Sequence, residues 1–157
     1  MSRTERIPPH SDEAEKSVLG SLLLDKDALF EVLEILQADD FYSEMHQEIY
    51  RAALELFRKN EPVDILTVSE ELKTRNTLEM VGGRAYVALL STLVPSTSNA
   101  GDYARIIAEK AVLRRLIAAS SEIMEQAYRE KIEPESVLDH AEQAIFEIAQ
   151  TRQKKDF

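Results

Sequence analysis

Three histidines are the most versatile candidates in this chain for acid–base chemistry or metal binding. His10, His46 and His140 lie far apart in the sequence, and Glu44 lies two residues before His46. Residues two apart point to different sides of a helix, so this pair does not converge on one ligand. The Glu-x-x-His spacing of a di-iron helical bundle is absent. We therefore expect each histidine to be a surface or half-buried residue rather than a ligand.

Other catalytic patterns are missing as well. A P-loop requires Gly-x-x-x-x-Gly-Lys-Ser/Thr, in which backbone amides bind phosphate, and no glycine of this chain precedes a lysine. Without cysteine, the chain has no thiolate zinc site and no cysteine nucleophile. Two acidic pairs could act as general acid and base, Asp39-Asp40 and Glu70-Glu71. We expect the first to lie in a turn and the second on a helix surface, rather than in a catalytic site. The sequence thus predicts a chain with no catalytic residue, no metal site and no cofactor of its own.

The charge balance narrows the class of partner. A net charge of −10, from 19 basic and 29 acidic side chains, argues against a free-standing nucleic-acid-binding protein, because phosphate contacts need clustered cations. The basic clusters at Arg114-Arg115 and in residues 152–155 are expected to be solvated helix faces. No apolar run approaches the ~20 residues of a membrane span, and the N-terminus leads into Pro8-Pro9 rather than a signal core. We expect a cytoplasmic chain without a membrane partner.

Helix-breaking residues divide the chain into two parts. Four of the five prolines and all four glycines lie at or before residue 101, and residues 1–100 carry 10 basic and 18 acidic side chains. This composition predicts a globular head of several short helices over residues 1–98. Residues 99–150 have one strong break, at Ile132-Glu133-Pro134, which predicts an antiparallel helical hairpin. The expected fold class is all-α.

Local signals set the expected start of the head. Ser11 is a natural N-cap for a first helix that ends near Leu24. Three acidic residues fall in the positively polarised first turn of this helix: Asp12, Glu13 and Glu15. A second helix is expected to begin at Asp25 or Asp27.

Further signals follow along the chain. Residues 39–42 predict a turn that carries the rings of Phe41 and Tyr42 toward the core, and Ser43 can cap a third helix. A fourth helix is expected to begin at Asp64 or Thr67, and Thr67-Val68-Ser69-Glu70 fits a capping box. A short helix through Tyr86 is expected after a Gly-Gly loop. The last helix is expected to run to about Gln150, followed by a fraying tail.

The hairpin helices have a wide apolar stripe. Apolar positions recur seven residues apart in three registers, which is more surface than one neighbouring helix covers. Leaving a large apolar side chain in water costs ~1.5–3 kcal/mol, so we expect a second copy of the hairpin to pack here about a two-fold axis. The alternative is a hairpin that folds back, with the stripe as ordinary core. The expected self-association residues are Leu113, Leu116, Ser120, Ala127, Leu138, Ala141, Ile145 and Ile148.

The order of short motifs resembles one family. The chain looks like the start of the bacterial DnaB-type replicative DNA helicases over about residues 6–150. The resemblance rests on many segments in the same order, among them Arg6-Ile7-Pro8-Pro9, Glu13-Ala14-Glu15, Asp40-Phe41-Tyr42 with His46, Pro62-Val63-Asp64, Val81-Gly82-Gly83 with Tyr86, and Tyr103-Ala104-Arg105-Ile106.

The resemblance implies a role in assembly rather than catalysis. Such helicases are hexameric rings that unwind DNA with ATP and magnesium bound to a C-terminal motor domain. This chain would be the N-terminal collar domain, with residues 151–157 starting the linker to the missing motor. Its hairpins would pair so that six copies form a trimer of dimers. DNA would bind only weakly, if at all.

The resemblance also implies a docking platform for the C-terminal helicase-binding domain of primase. The corresponding positions here are Glu13, Tyr86, Ile117, Ile123 and Met124. The last three also lie on the apolar stripe, so the alternative is that they belong to hairpin packing. A helicase loader or initiator is a further candidate partner, with no position indicated.

Two other classes remain open from the residues alone. One is a stand-alone helical adaptor, or a helix-turn-helix regulator that uses the third and fourth helices. Its recognition helix would carry Glu70-Glu71 with only Lys73 and Arg75 as cations, a poor face for phosphate. The other is a small helical-bundle enzyme, which the missing catalytic patterns disfavour.

Overall fold

The computed structural model describes residues 6–155, with side chains described for residues 6–151. Over residues 6–155 the chain is helical and has no strand, which confirms the all-α prediction. The last residues of the predicted linker, 156–157, lie outside the described residues. The elements are α1 (Asp12–Leu24), α2 (Lys26–Leu33), a 3₁₀ turn (Ala38–Asp40), α3 (Glu44–Arg58), α4 (Ile65–Thr74), α5 (Gly83–Thr92), a second 3₁₀ turn (Thr97–Asn99), α6 (Ala100–Tyr128) and α7 (Pro134–Lys155).

The chain forms two compact units. The first, which we call the head, comprises residues 10–108 and contains α1–α5 with the start of α6. The second, the hairpin unit, comprises residues 6–9 and the described residues from 109 onward. We predicted the head over residues 1–98. The start of α6 groups with the head because Ala100, Ala104 and Ile107 are buried in its core.

The head is built from apolar faces at helical spacing. Ser11 begins α1 and accepts a hydrogen bond from the N–H of Ala14 at 3.1 Å, as predicted. Asp25 begins α2 in the same way, accepting from the N–H of Asp27 at 2.9 Å. The side chains buried most completely in the core include Val18, Leu19, Leu22, Leu29, Ile49, Tyr50, Leu72 and Leu90.

Helices α1 and α5 approach each other at Gly20. A Cβ atom on this glycine would overlap the carbonyl oxygen of Leu90 and the side chain of Val94. Only a residue without a side chain permits this separation. The absence of a side chain at Gly20 therefore lets α5 pack directly against α1.

The start of α4 corrects one prediction. The capping box there joins Asp64 to Thr67, not Thr67 to Glu70. Asp64 Oδ1 accepts from the N–H of Thr67 at 2.8 Å, and Thr67 Oγ1 accepts from the N–H of Asp64 at 2.9 Å. Both Asp64 and Thr67 are cap-type residues, and the earlier one prevails because α4 already begins at Ile65.

Glu15 lies inside the head rather than at its surface. It is 1% exposed and accepts hydrogen bonds from the backbone N–H groups of Tyr42 (2.7 Å) and Ser43 (3.3 Å). Its Oε1 also lies 2.7 Å from Nδ1 of His46, a side chain that is 1% exposed. The prediction that every histidine is at the surface or half-buried was therefore wrong for His46, because Glu15 supplies a buried acceptor from another helix.

The loop before α3 sends its two rings in different directions. Phe41 is buried in the core, as predicted, and contacts Tyr50 at a ring separation of 5.0 Å. Tyr42 is 40% exposed and stacks on His10 at 4.1 Å, so the prediction that it faces the core was wrong. The N–H of Tyr42 donates to Glu15, which holds the backbone there, and the Tyr42 ring is placed by its stacking on His10.

The helices of the hairpin unit are α7 and the part of α6 from residue 109. Pro134 occupies the first position of α7, as predicted. Helix α7 continues to Lys155, so the expectation that it ends near Gln150 was wrong. His140 Nε2 of α7 lies 3.1 Å from Glu122 Oε1 of α6. Arg114 Nη1 of α6 donates to the carbonyl oxygen of Pro9 at 2.8 Å, so Arg114 is engaged rather than fully solvated.

Replacing Asp64 by Ala removes the carboxylate that accepts from the N–H of Thr67, whereas the backbone N–H of residue 64 can still donate to Thr67 Oγ1. We expect the free energy of unfolding to fall by about 0.5–2 kcal/mol, measured by urea denaturation followed by circular dichroism. Ser43→Ala is the matched control, because Ser43 is the N-cap residue of α3 but its side chain makes no capping hydrogen bond. Equal losses in the two variants would contradict the assignment.

Replacing Glu15 by Gln places an amide N–H₂ where a carboxylate oxygen accepts hydrogen bonds. In either orientation of the amide, at least one backbone N–H, of Tyr42 or Ser43, loses its acceptor. We expect a loss of about 1–3 kcal/mol in the free energy of unfolding. Glu13→Gln makes the same charge change at an exposed position of the same helix and should cost far less. Similar losses in both would mean that charge alone matters.

Candidate protein-interaction surfaces

The position of Tyr86 depends on the glycine turn before α5. Gly82 has φ 99°, in the left-handed region that favours glycine, and is the N-cap residue of α5. A Cβ atom at Gly82 would lie 2.9 Å from Cβ of Tyr86. The turn therefore needs glycine for its backbone angle and for the close approach of the tyrosine.

Tyr86 is half-buried and connects the surface of the head to two buried polar side chains. Its hydroxyl oxygen lies 2.6 Å from Nε2 of His46, and the two rings stack with centroids 5.9 Å apart. Nδ1 of the same histidine contacts Glu15. Hydrogen bonds from Glu15 through His46 to Tyr86 thus link α1, α3 and α5. The spacing of these three residues in the sequence did not predict this link.

The surroundings of Tyr86 keep its hydroxyl protonated at neutral pH. Burial raises the pKa of the Tyr86 hydroxyl above its ordinary value. The positive charge of Lys16 opposes this increase, and the negative charges of Asp12 and Glu15 add to it. Lys16 is itself paired with Asp12 at 3.0 Å on the surface of α1.

Glu13 lies on α1, the helix that packs against α5 within the head. Its side chain is exposed, as a docking role requires. The head therefore presents Glu13 and part of the Tyr86 side chain to solvent, and these assignments as docking residues stay predictions.

On α6, several of the predicted residues share one face of the hairpin unit. Leu113, Ile117 and Met124 are 45%, 54% and 57% exposed. They line a shallow depression on the surface of the unit, whose full lining is Pro9, Leu113, Leu116, Ile117, Ser120, Ser121 and Met124. A depression with apolar walls and two hydroxyl groups suits a protein side chain better than a charged ligand.

The remaining α6 residues divide by exposure. Leu116 and Ile123 are half-buried, whereas Ser120 and Ala127 are exposed. Ile123 is absent from the lining of the depression that holds Ile117 and Met124. The five predicted docking residues are thus divided between the two units: Glu13 and Tyr86 belong to the head, and Ile117, Ile123 and Met124 belong to the hairpin unit.

Helix α7 has an exposed apolar face of its own. Leu138 and Ile145 are 61% and 43% exposed, and Ala141 and Ile148 are half-buried. Phe146 is 57% exposed and lines a second depression with Ala141, Glu142 and Ile145. Phe146 is outside the predicted set, because the members of that set on α7 are apolar residues spaced seven apart. An aromatic side chain directly beside Ile145 was the available signal.

Alternative chemistries find little support among the described residues. They contain no group of three or more His, Asp or Glu side chains arranged to hold a metal ion. In that same part of the chain, no helix has both the length and the apolar character needed to cross a membrane. Arg75, a cation of the helix-turn-helix alternative, donates from Nε to Glu48 at 2.7 Å and is thereby engaged within the head.

The family model and the similar proteins found by sequence comparison point to the same family. The family model described as DnaB-like helicase N terminal domain matches residues 7–109. The chain is 40% identical over 153 residues to the replicative DNA helicase DnaB of Leifsonia xyli subsp. xyli, and 43% identical over 154 residues to that of Geobacillus stearothermophilus. Each match covers 98% of this chain and 34% of the relative, so the chain spans about a third of their length.

Solved structures agree with the sequence matches. The crystal structure of the N-terminal domain of DnaB helicase from Mycobacterium tuberculosis has a TM-score of 0.86 and 44% identity, covering 89% of this chain and 99% of that one. A structure of a DnaB-like replicative helicase and its interactions with primase has a TM-score of 0.72 and 25% identity, covering 88% and 31%. On this evidence of sequence and fold together, the chain belongs to the family of DnaB-like helicase N-terminal domains.

Proposed function

We propose that this chain is the non-catalytic collar domain of a hexameric replicative DNA helicase. In this role it assembles with copies of itself through the hairpin unit and docks the C-terminal helicase-binding domain of primase. The observation that carries the proposal is the set of large apolar side chains that the hairpin unit leaves exposed on both α6 and α7. Such surfaces on a folded domain indicate protein partners.

Self-association is supported by the distribution of these side chains. Leu138, Ile145 and Phe146 on α7 are all more than 40% exposed, so their burial by a partner would each contribute free energy. An antiparallel pair of helices presents the same face in each copy, and a two-fold axis allows that face to cover itself. The near balance of nine basic and 11 acidic side chains in residues 101–157 limits repulsion between copies.

Docking of primase is supported by a relative and by the chemistry of the surface. One solved relative, 25% identical to this chain, is a DnaB-like replicative helicase whose structure was determined together with its interactions with primase. Tyr86, Ile117 and Met124 are solvent-accessible tyrosine, aliphatic and methionine side chains, and tyrosine and methionine are enriched at protein interfaces. In the head, Glu13 and Asp12 add exposed carboxylates on α1.

ATP hydrolysis, magnesium binding and DNA unwinding would belong to other parts of such a helicase. Residues 1–100, which include most of the head, carry a net charge of −8, and this disfavours tight binding of DNA by this region. Contacts with a loader or an initiator are compatible with the proposal and have no assigned position.

Replacing Ile117 by Ala should weaken binding of the primase C-terminal domain about 5- to 30-fold, because a half-exposed aliphatic side chain that a partner buries contributes roughly 1–2 kcal/mol. The measurement is isothermal titration calorimetry on the 157-residue chain, with molar mass checked for both variants. Leu66→Ala is the matched control, since Leu66 on α4 is 55% exposed and Ile117 is 54% exposed. Unchanged binding by Ile117→Ala, or equal weakening by the control, would remove Ile117 from the docking surface.

Replacing Ile145 by Ser should shift the chain toward the monomer, because a hydroxyl would replace an apolar contact between copies. Analytical ultracentrifugation across a range of concentrations measures the dissociation constant, which we expect to rise at least tenfold. Leu93→Ser is the control, since Leu93 in the head is also 43% exposed. A wild-type chain that stays monomeric at the highest concentration would contradict self-association altogether.

A further inference from the structure

The hydrogen bonds that join Glu15, His46 and Tyr86 restrict where their protons can lie. The Glu15 carboxylate only accepts hydrogen bonds, and it already accepts from two backbone N–H groups. The 2.7 Å contact between its Oε1 and Nδ1 of His46 therefore requires that Nδ1 carries the proton. In its neutral form the imidazole has one N–H, and Nε2 is then left as an acceptor.

The hydroxyl of Tyr86 must then donate inward. Its oxygen lies 2.6 Å from Nε2 of His46, and only the phenolic proton can occupy that hydrogen bond when Nε2 is unprotonated. The donor of the tyrosine is consumed inside the head, and the hydroxyl oxygen keeps only lone pairs for other contacts. An ordinary surface tyrosine, in contrast, can either donate or accept.

We propose that Glu15 and His46 are positioning residues that make Tyr86 an acceptor-only contact, so that the group docking on its hydroxyl is a hydrogen-bond donor. This inference rests on the proposed docking of primase at Tyr86 and specifies the chemistry of that contact. A partner carbonyl or carboxylate would meet lone pairs and be rejected, which makes the contact selective.

The charges around Tyr86 favour a cationic donor. Three charged groups act on the Tyr86 hydroxyl: Lys16 is positive, whereas Asp12 and Glu15 are negative. Lys16 and Asp12 form an ion pair at 3.0 Å, which leaves the negative charge of Glu15 in excess. A lysine or arginine side chain of the partner would donate to the lone pairs of Tyr86 and be attracted by this excess negative charge.

The tautomer is tested directly by NMR on the chain labelled with ¹⁵N-histidine at pH 7. Long-range proton–nitrogen correlation should show a pyrrole-type Nδ1 and a pyridine-type Nε2 for His46. Tyr86→Phe should change the Nε2 shift and leave Nδ1 protonated. A ring protonated on Nε2 alone, or on both nitrogens, would overturn the inference without affecting the proposed function.

Binding of the primase C-terminal domain tests the role of the hydroxyl. Tyr86→Phe keeps the ring stacked on His46 and loses only the oxygen, and we expect roughly tenfold weaker binding from the loss of one charge-assisted hydrogen bond. If Tyr86→Phe binds like the wild type while Tyr86→Ala binds weakly, the docking site stands and the inference is wrong. If Tyr86→Ala also binds like the wild type, docking at Tyr86 itself is wrong.

A double-mutant cycle separates positioning from mere structural support. His46→Asn retains an N–H near Glu15 but is too short to reach Tyr86. It should weaken binding several-fold in the wild-type chain and have no further effect in Tyr86→Phe, because the hydroxyl it orients is gone. Independent, multiplying effects would overturn the inference. If His46→Asn does not fold, as judged by circular dichroism, the NMR experiment and Tyr86→Phe still decide.

Discussion

A carboxylate that is 1% exposed needs hydrogen-bond donors, because an ionised group removed from water without partners is strongly destabilising. Glu15 obtains two of them from the backbone at Tyr42 and Ser43 and one from His46. These donors lie 27 to 31 residues further along the chain. The same carboxylate thus holds the loop before α3 against α1 and orients the histidine that meets Tyr86. The arrangement of three head helices depends on it.

Local chemistry was enough to predict much of the fold. Ser11 and Pro134 mark helix starts through interactions within one turn, and a seven-residue or shorter spacing places side chains such as Leu22 and Ile49 in the core. The pairing of Glu15 with His46 was not predictable in this way. It joins residues from different helices, and a polar pair leaves no periodic pattern in the sequence.

The candidate sites were predictable to a smaller degree. The residues Tyr86 and Ile117 came from the resemblance to a family, whereas the exposed stripe on α6 followed from the spacing of apolar residues. Phe146 was missed because the spacing rule excluded the position next to Ile145. The orientation of Tyr42 was missed because its ring is placed by stacking on His10, a residue far away in sequence.

The two candidate surfaces differ in physical character. In the hairpin unit, apolar side chains are exposed and their value lies in the area that a partner can bury. In the head, Tyr86 is only partly exposed, and its value lies in one oriented hydroxyl group. The surface of the hairpin unit should tolerate substitution among similar apolar residues. The surface around Tyr86 depends on individual atoms.

The contact at Gly20 has a consequence for the precision of the head. Helices α1 and α5 meet there against the backbone oxygen of Leu90, and backbone atoms have no rotamers through which a contact can relax. The distance between the two helices therefore has a hard lower limit that does not depend on how the surrounding side chains rearrange. Tyr86 lies one helical turn before Leu90 on α5. The minimum separation of α1 and α5 is therefore set close to the 2.6 Å hydrogen bond between Tyr86 and His46.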